Sequence, residues 1–80
     1  MVKKRRFGLV IFNDDFNHIK FVTDVISQTF GYHPTHALQC ANMIHEKGSY
    51  MVKSVDNKEI AETYRNLLIN SGVLTRIIPL

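Results

Sequence analysis

The sequence predicts an α+β fold: a two-layer α/β sandwich in the order β-α-α-β-α-β, with three helices on one face of a three-stranded, mainly antiparallel sheet. Three observations predict it. FGLVIF at 7–12, SYMVKSV at 49–55 and VLTRIIPL at 73–80 are apolar runs rich in β-formers and of strand length. Between them, apolar residues recur at spacings of three and four, the period of one helical face. Three helices with one apolar stripe each must bury those stripes, and a single sheet is the smallest surface that covers them. Because helices separate the strands, the order of strands within the sheet is not legible in the pattern.

The first strand stops at Asn13-Asp14-Asp15, three residues that favour a turn. From Ile19 onward, Ile19, Val22, Val25, Ile26 and Phe30 share one face, which predicts a helix over 18–30. Asn17 is its expected N-cap and Gly31 its stop. Lys20 is a mild misfit, since positive charge in a first turn opposes the helix dipole. His33-Pro34 opens a second helix over 34–47, with Pro34 at the first helical position, where its missing N–H is harmless. Ala37, Leu38, Ala41, Ile44 and His45 lie on one side or its border, and Gly48 ends the helix. After the second strand, Asp56 and Glu59 stand in capping-box spacing before a helix over 57–70, whose inward residues are Ile60, Ala61, Tyr64, Leu67 and Leu68. Asn70-Ser71-Gly72 breaks it and the last strand follows.

Eighty residues make one small domain, expected over 7–80 behind a short basic flexible tail at 1–6. Hydrophobic residues at 45% and charged residues at 21% describe a chain that folds rather than a disordered one. The net charge of +3 comes from Lys3, Lys4, Arg5 and Arg6, and the remainder is slightly acidic. Confined to a tail, that run is a solubilising segment and not a nucleic-acid face, which needs basic residues spread over folded structure. Cys40 is the only cysteine, so no internal disulfide forms. With neither a signal-peptide core nor a membrane-length apolar run, the expected location is cytoplasmic.

Catalysis finds little support. Adjacent carboxylates in a turn, Asp14 and Asp15, point in different directions rather than at one bond. Cys40 has His36 and His45 at four and five residues, yet a lone Cys beside a small apolar neighbour, Ala41, is a packing residue. No Gly-rich phosphate loop or G-x-S-x-G elbow is present. His33-x-x-His36 is the only close His pair, and Asp14, Asp15 and His45 offer too few ligands for calcium or zinc, so no cofactor or metal is expected. What remains is a binding constellation. Antiparallel helices over 18–30 and 34–47 return His45 to the Asn13-Asp14-Asp15 turn, above apolar ground formed by Ile19, Val22 and Ile44. Acceptors above a hydrophobic hole suit a cation attached to an apolar group.

NDDFNHIKFVTDVI at 13–26, Phe30-x-Tyr32, ALQCANMIHEKG at 37–48 and EIAET at 59–63 together resemble the ClpS family of adaptors, which present N-end-rule substrates to Clp AAA+ proteases. The match covers most of the chain in order with nearly ungapped spacing. The resemblance implies that Asn13, Asp14 and His45 hold the α-amino group of a substrate's first residue, with Asp15 acting through water or through the turn. It also implies that a Leu, Phe, Tyr or Trp side chain enters a pocket lined by Ile19, Val22, Ala41, Ile44 and Leu74. The chemistry agrees: an N-terminal amine is mostly a cation at neutral pH, with three donors that need acceptors. His45 accepts only as a neutral ring, which predicts binding that weakens on acidification.

The implied partners are the N-terminal domain of a Clp AAA+ unfoldase and N-degron proteins or peptides, with no nucleic acid and no membrane, and the expected state is a monomer. Glu59 and Tyr64 fall on the family's unfoldase-facing surface, although Tyr64 stands where a Lys is expected. Ile19 replaces the common gate methionine and is stiffer for its branched Cβ, so exclusion of β-branched first residues is expected. Ala41 replaces what is often a larger residue, which predicts a roomier pocket favouring aromatic side chains. Few residues precede the first strand where the family carries a longer delivery arm. Phe16 and Tyr32 are expected to pack. The competing reading is a non-catalytic interaction module resembling the C-terminal domain of the ribosomal stalk protein, in which Asn13 and Asp14 serve only the turn.

Overall fold

The computed structural model describes residues 5–80. Its elements are β1 (Phe7–Phe12), α1 (Ile19–Phe30), α2 (Pro34–Lys47), β2 (Ser49–Val55), α3 (Lys58–Asn70) and β3 (Thr75–Pro79), in the expected β-α-α-β-α-β order. The strands form one sheet in the order β2-β1-β3, both pairings antiparallel. The most apolar strand therefore takes the centre. Leu9 and Ile11 are fully buried beneath the helices, while Gly8 and Val10 alternate to the other face. There Met51 and Ile78 close over Gly8 from the two neighbouring strands: a Cβ at Gly8 would meet Met51 Sδ at 2.5 Å and Ile78 Cγ1 at 3.1 Å. A register shift between Leu9 and Val10, which face Lys53 and Met51, leaves Val52 as the extra residue of a bulge in β2.

The core is one cluster between sheet and helices. Val22, Val25 and Ile26 of α1 and Ala37, Cys40, Ala41 and Ile44 of α2 are buried, as the helical spacing predicts. Leu9, Ile11, Ile26, Leu68 and Val73 are its largest fully buried side chains, each contributing about 1.5–3 kcal/mol by leaving water.

Three expected inward residues face outward instead. Leu38, Ile60 and Leu67 are 43%, 47% and 50% exposed. The buried stripes run through Ala37-Cys40-Ala41-Ile44 and Ala61-Leu68, and each displaced residue sits one position, about 100°, round its helix from a buried one.

The caps also differ. His18, not Asn17, caps α1, its Nδ1 accepting from the Lys20 N–H at 3.1 Å. His33 caps α2 the same way, accepting from Thr35 N–H at 3.1 Å. Asn57 caps α3 by accepting from Ile60 N–H at 3.1 Å, so the Asp56–Glu59 capping box is not what starts that helix. In each case the side chain nearest the first helical residue reaches the free N–H groups first. Gly31 and Gly48 stop α1 and α2 as expected, each in the left-handed conformation.

The basic run is divided. Residues 1–4, with Lys3 and Lys4, lie outside the described residues. Arg6 is tied to the sheet, donating to Ser54 Oγ at 2.8 Å while its carbonyl accepts from the Leu80 N–H at 2.9 Å.

Phe30-x-Tyr32 fastens the loop between the first two helices to the sheet. The Tyr32 hydroxyl donates to Val52 O at 2.8 Å, its ring stacks on His36 at 4.2 Å, and Lys53 Nζ lies 5.8 Å from the ring centroid. Tyr32 is therefore a packing residue with a polar anchor.

Candidate functional site

Antiparallel pairing sets Phe12 opposite Ser49, so the chain leaves β1 beside the point where α2 hands over to β2. The Asn13 N–H donates to Gly48 O at 2.8 Å, three residues beyond His45. On the other side, the Phe12 N–H donates to Leu74 O at 3.0 Å and draws in the corner between α3 and β3. Three connections thus meet at one end of the sheet: 13–18, Gly48 and 71–74. α2 also ends here, and the partial negative charge of a helix C-terminus favours a cation in its neighbourhood.

Asp14 builds this end. Its Oδ1 accepts from the Phe16 and Asn17 N–H groups at 2.9 and 2.8 Å, an Asx turn, and its Oδ2 accepts from Asn17 Nδ2 at 2.9 Å. Asn17 Nδ2 gives its second hydrogen to Gly72 O at 2.8 Å. Most of the carboxylate's accepting capacity is therefore spent inside the protein. Asn13, Asp15 and His45 are different. Each is exposed, and among the described residues their side chains hydrogen-bond to no protein group. These acceptors are open to a ligand.

The five expected pocket residues divide in two. Val22, Ala41 and Ile44 are 9%, 2% and 2% exposed, belonging to the core cluster beneath. Ile19 is partly buried against the same cluster, and Leu74 is 53% exposed. No single described cavity holds all five. Ile19 lines a groove of about 400 Å³ with His18, Lys20, Thr23, Pro34 and Leu38. Leu74 lines a cavity of about 280 Å³ with Asp14, Ile69, Gly72 and Val73.

Glu59 is exposed in the first turn of α3. Tyr64 is half-buried, its ring packed on Phe30 with centroids 4.9 Å apart, so little of it is offered to a partner. Phe16, expected to pack, is 95% exposed: the Asx turn fixes its backbone and leaves its ring in water. The role of Asn17 had a sequence signal in its spacing, three residues after an Asp inside a turn, but a helix start uses the same residues.

The remaining chemistry is quiet. Burial raises the Cys40 thiol above its ordinary value, keeping it protonated and a poor nucleophile. Among the described residues no three His, Cys, Asp or Glu side chains gather to hold a metal, and no helix is long and apolar enough to cross a membrane.

Fold and site together describe a helix-backed sheet whose one end presents exposed hydrogen-bond acceptors. Residues 2–72 match the family model of the ATP-dependent Clp protease adaptor protein ClpS, and the chain belongs to this family. Similar curated relatives are the ATP-dependent Clp protease adapter proteins ClpS of Roseobacter denitrificans, 35% identical over 57 residues, and of Ruegeria pomeroyi, 31% identical over 64. These alignments cover 71% and 80% of this chain but 50% and 56% of the relatives, so the chain spans about half the length of the curated relatives it matches. Agrobacterium tumefaciens ClpS2, solved bound to L-phenylalaninamide, superposes with a TM-score of 0.84 at 23% identity, covering 98% of this chain and all of that one. The fold is shared. The family is one of adaptors, not enzymes.

Proposed function

We propose that the domain binds the free N-terminus of proteins beginning with a bulky hydrophobic residue, Leu, Phe, Tyr or Trp, and delivers them in the cytoplasm to a Clp AAA+ unfoldase for degradation. The observation that carries this reading is the group of open acceptors, Asn13, Asp15 and His45, at the end of the sheet where α2 terminates. An α-ammonium offers three donors and a positive charge, and these groups together with the helix terminus supply what it needs.

Asp14 shapes the turn that carries the acceptors, and its remaining lone pair contributes to the cradle. The first side chain enters between Ile19 and Leu74, the two accessible members of the apolar set, above a floor of Val22, Ala41 and Ile44. The bound L-phenylalaninamide of the Agrobacterium relative supports the reading, since that molecule combines a free α-amine with an aromatic side chain. Exposed Glu59 on α3 serves the N-terminal domain of the unfoldase, with Tyr64 shaping the surface beside it from its seat on Phe30.

The test is calorimetry with a short Phe-starting peptide and its N-acetylated twin. The free amine binds and the acetylated peptide does not. Equal binding of the two refutes amine recognition.

A further inference from the structure

We propose that Asn17 is a positioning residue that clamps the acceptor turn to the corner between α3 and β3, holding the amine end and the side-chain end of the site in fixed relation. The proposal rests on the adaptor reading above.

Both hydrogens of the Asn17 amide are committed, one to Asp14 Oδ2 at 2.9 Å and one to Gly72 O at 2.8 Å. A turn closed by Asp14 requires only the backbone N–H groups of residues 16 and 17, and any residue but proline at position 17 keeps both. The side-chain amide is additional. Nor does α1 require it, because His18 provides the cap. What the amide adds is a tie across 55 residues of sequence.

Its far anchor is well fixed. Gly72 has φ +96°, a backbone conformation that side-chain-bearing residues rarely adopt, and its neighbour Val73 is 2% exposed with its N–H donating to Leu68 O at 3.0 Å. Leu74 follows directly, its carbonyl accepting from Phe12. Asn13 and Asp15 flank Asp14 on one side of the clamp, and Leu74 lies two residues beyond its other foot. A ligand that places an ammonium at the first and an apolar group at the second needs their separation set before it arrives, since ordering the turn during binding would cost affinity.

Asn17→Ala removes the clamp and leaves the turn's backbone bonds available. Asn17→Asp keeps the shape but sets a carboxylate against the Asp14 carboxylate and the Gly72 carbonyl. Two readouts on the full chain separate positioning from bulk stability. Hydrogen exchange at the Phe16 amide, measured without peptide, is expected to accelerate by about tenfold in Asn17→Ala and further in Asn17→Asp, while core amides of β1 keep their protection. Affinity for a Phe-starting peptide is expected to fall by about tenfold in Asn17→Ala, the size of one charge-assisted hydrogen bond, and more in Asn17→Asp.

Unchanged Phe16 exchange in both variants overturns the proposal. So does faster exchange with full affinity, because the amide would then shape a turn that binding does not depend on. If the unaltered chain ignores free N-termini altogether, the adaptor reading falls and the binding half of the proposal falls with it. The exchange result still decides whether Asn17 sets the turn.

Discussion

Removing the two adjacent carboxylates one at a time should have very unequal consequences for stability. Asp14 accepts three hydrogen bonds, two from backbone N–H groups and one from Asn17, whereas Asp15 accepts none from the described protein. Hydrogen bonds to a charged acceptor are worth about 1.5–3 kcal/mol each when protected, less at a half-exposed turn where water can replace them. A loss of about 2–3 kcal/mol for Asp14→Ala follows, which in a domain of this size lowers the melting temperature by roughly 10–20 °C. Asp15→Ala should stay within about 0.5 kcal/mol of the parent chain, as exposed surface substitutions do. Binding should respond to both: Asp15→Ala by loss of a free acceptor, at least about tenfold, and Asp14→Ala by loss of the turn that presents the acceptors. Urea melts followed by circular dichroism give the stabilities, and calorimetry with a Phe-starting peptide gives the affinities. An Asp14→Ala protein as stable as its parent refutes the turn geometry. An Asp15→Ala protein with full affinity refutes the assignment of Asp15 as an amine acceptor.

Further outcomes are expected elsewhere in the molecule. Tyr32→Phe keeps the stack on His36 but deletes the bond to Val52 O, and should cost about 1 kcal/mol in a urea melt, with peptide binding unchanged because the anchor lies away from the acceptor end. Phe16→Ser should alter stability by less than about 0.5 kcal/mol, since its ring leaves almost no water on folding; a larger loss would mean the ring packs. Cys40, 3% exposed with its thiol raised by burial, should resist a thiol reagent at neutral pH until denaturant is added; rapid labelling of the folded chain would contradict this. Burial also raises the Tyr32 phenol, so the unfolded chain ionises both groups first. Their contribution to stability is complete below the ordinary values of 9.0 and 10.0 and is lost as pH rises through the higher folded values, which alkaline melts should show.

The element order was fully legible because it depends on local period. FGLVIF has strand length and composition, Ile19-Val22-Val25-Ile26 has a helix period, and Gly31 and Gly48 stand where chains leave helices. Capping was less legible. Asn17, His18, Asp56 and Asn57 all stand close to a helix start, and one residue of offset decides which oxygen or ring nitrogen reaches the free N–H groups. Helix faces were legible to about one residue, which is why Leu38, Ile60 and Leu67 were placed inward: only the direction of the sheet decides which of two adjacent residues meets it.

By itself the sequence determined which elements form, in what order, and that the residues around Asn13 and His45 belong to a family of Clp adaptors. Hydrophobic period, turn chemistry and short motifs are written along the chain, so they survive without coordinates. Tertiary structure alone decided the central place of β1, the division of the two aspartates into one that builds and one that stays open, and the change of Asn17 from helix cap to clamp. The place of β1 and the role of Asn17 depend on partners distant in sequence, the strands flanking β1 and the carbonyl of Gly72, and hydrogen bonds across 55 residues leave no periodic trace in the chain that makes them. The aspartates divide locally: only the turn's three-dimensional path decides that Asp14 and not Asp15 faces the N–H groups of Phe16 and Asn17.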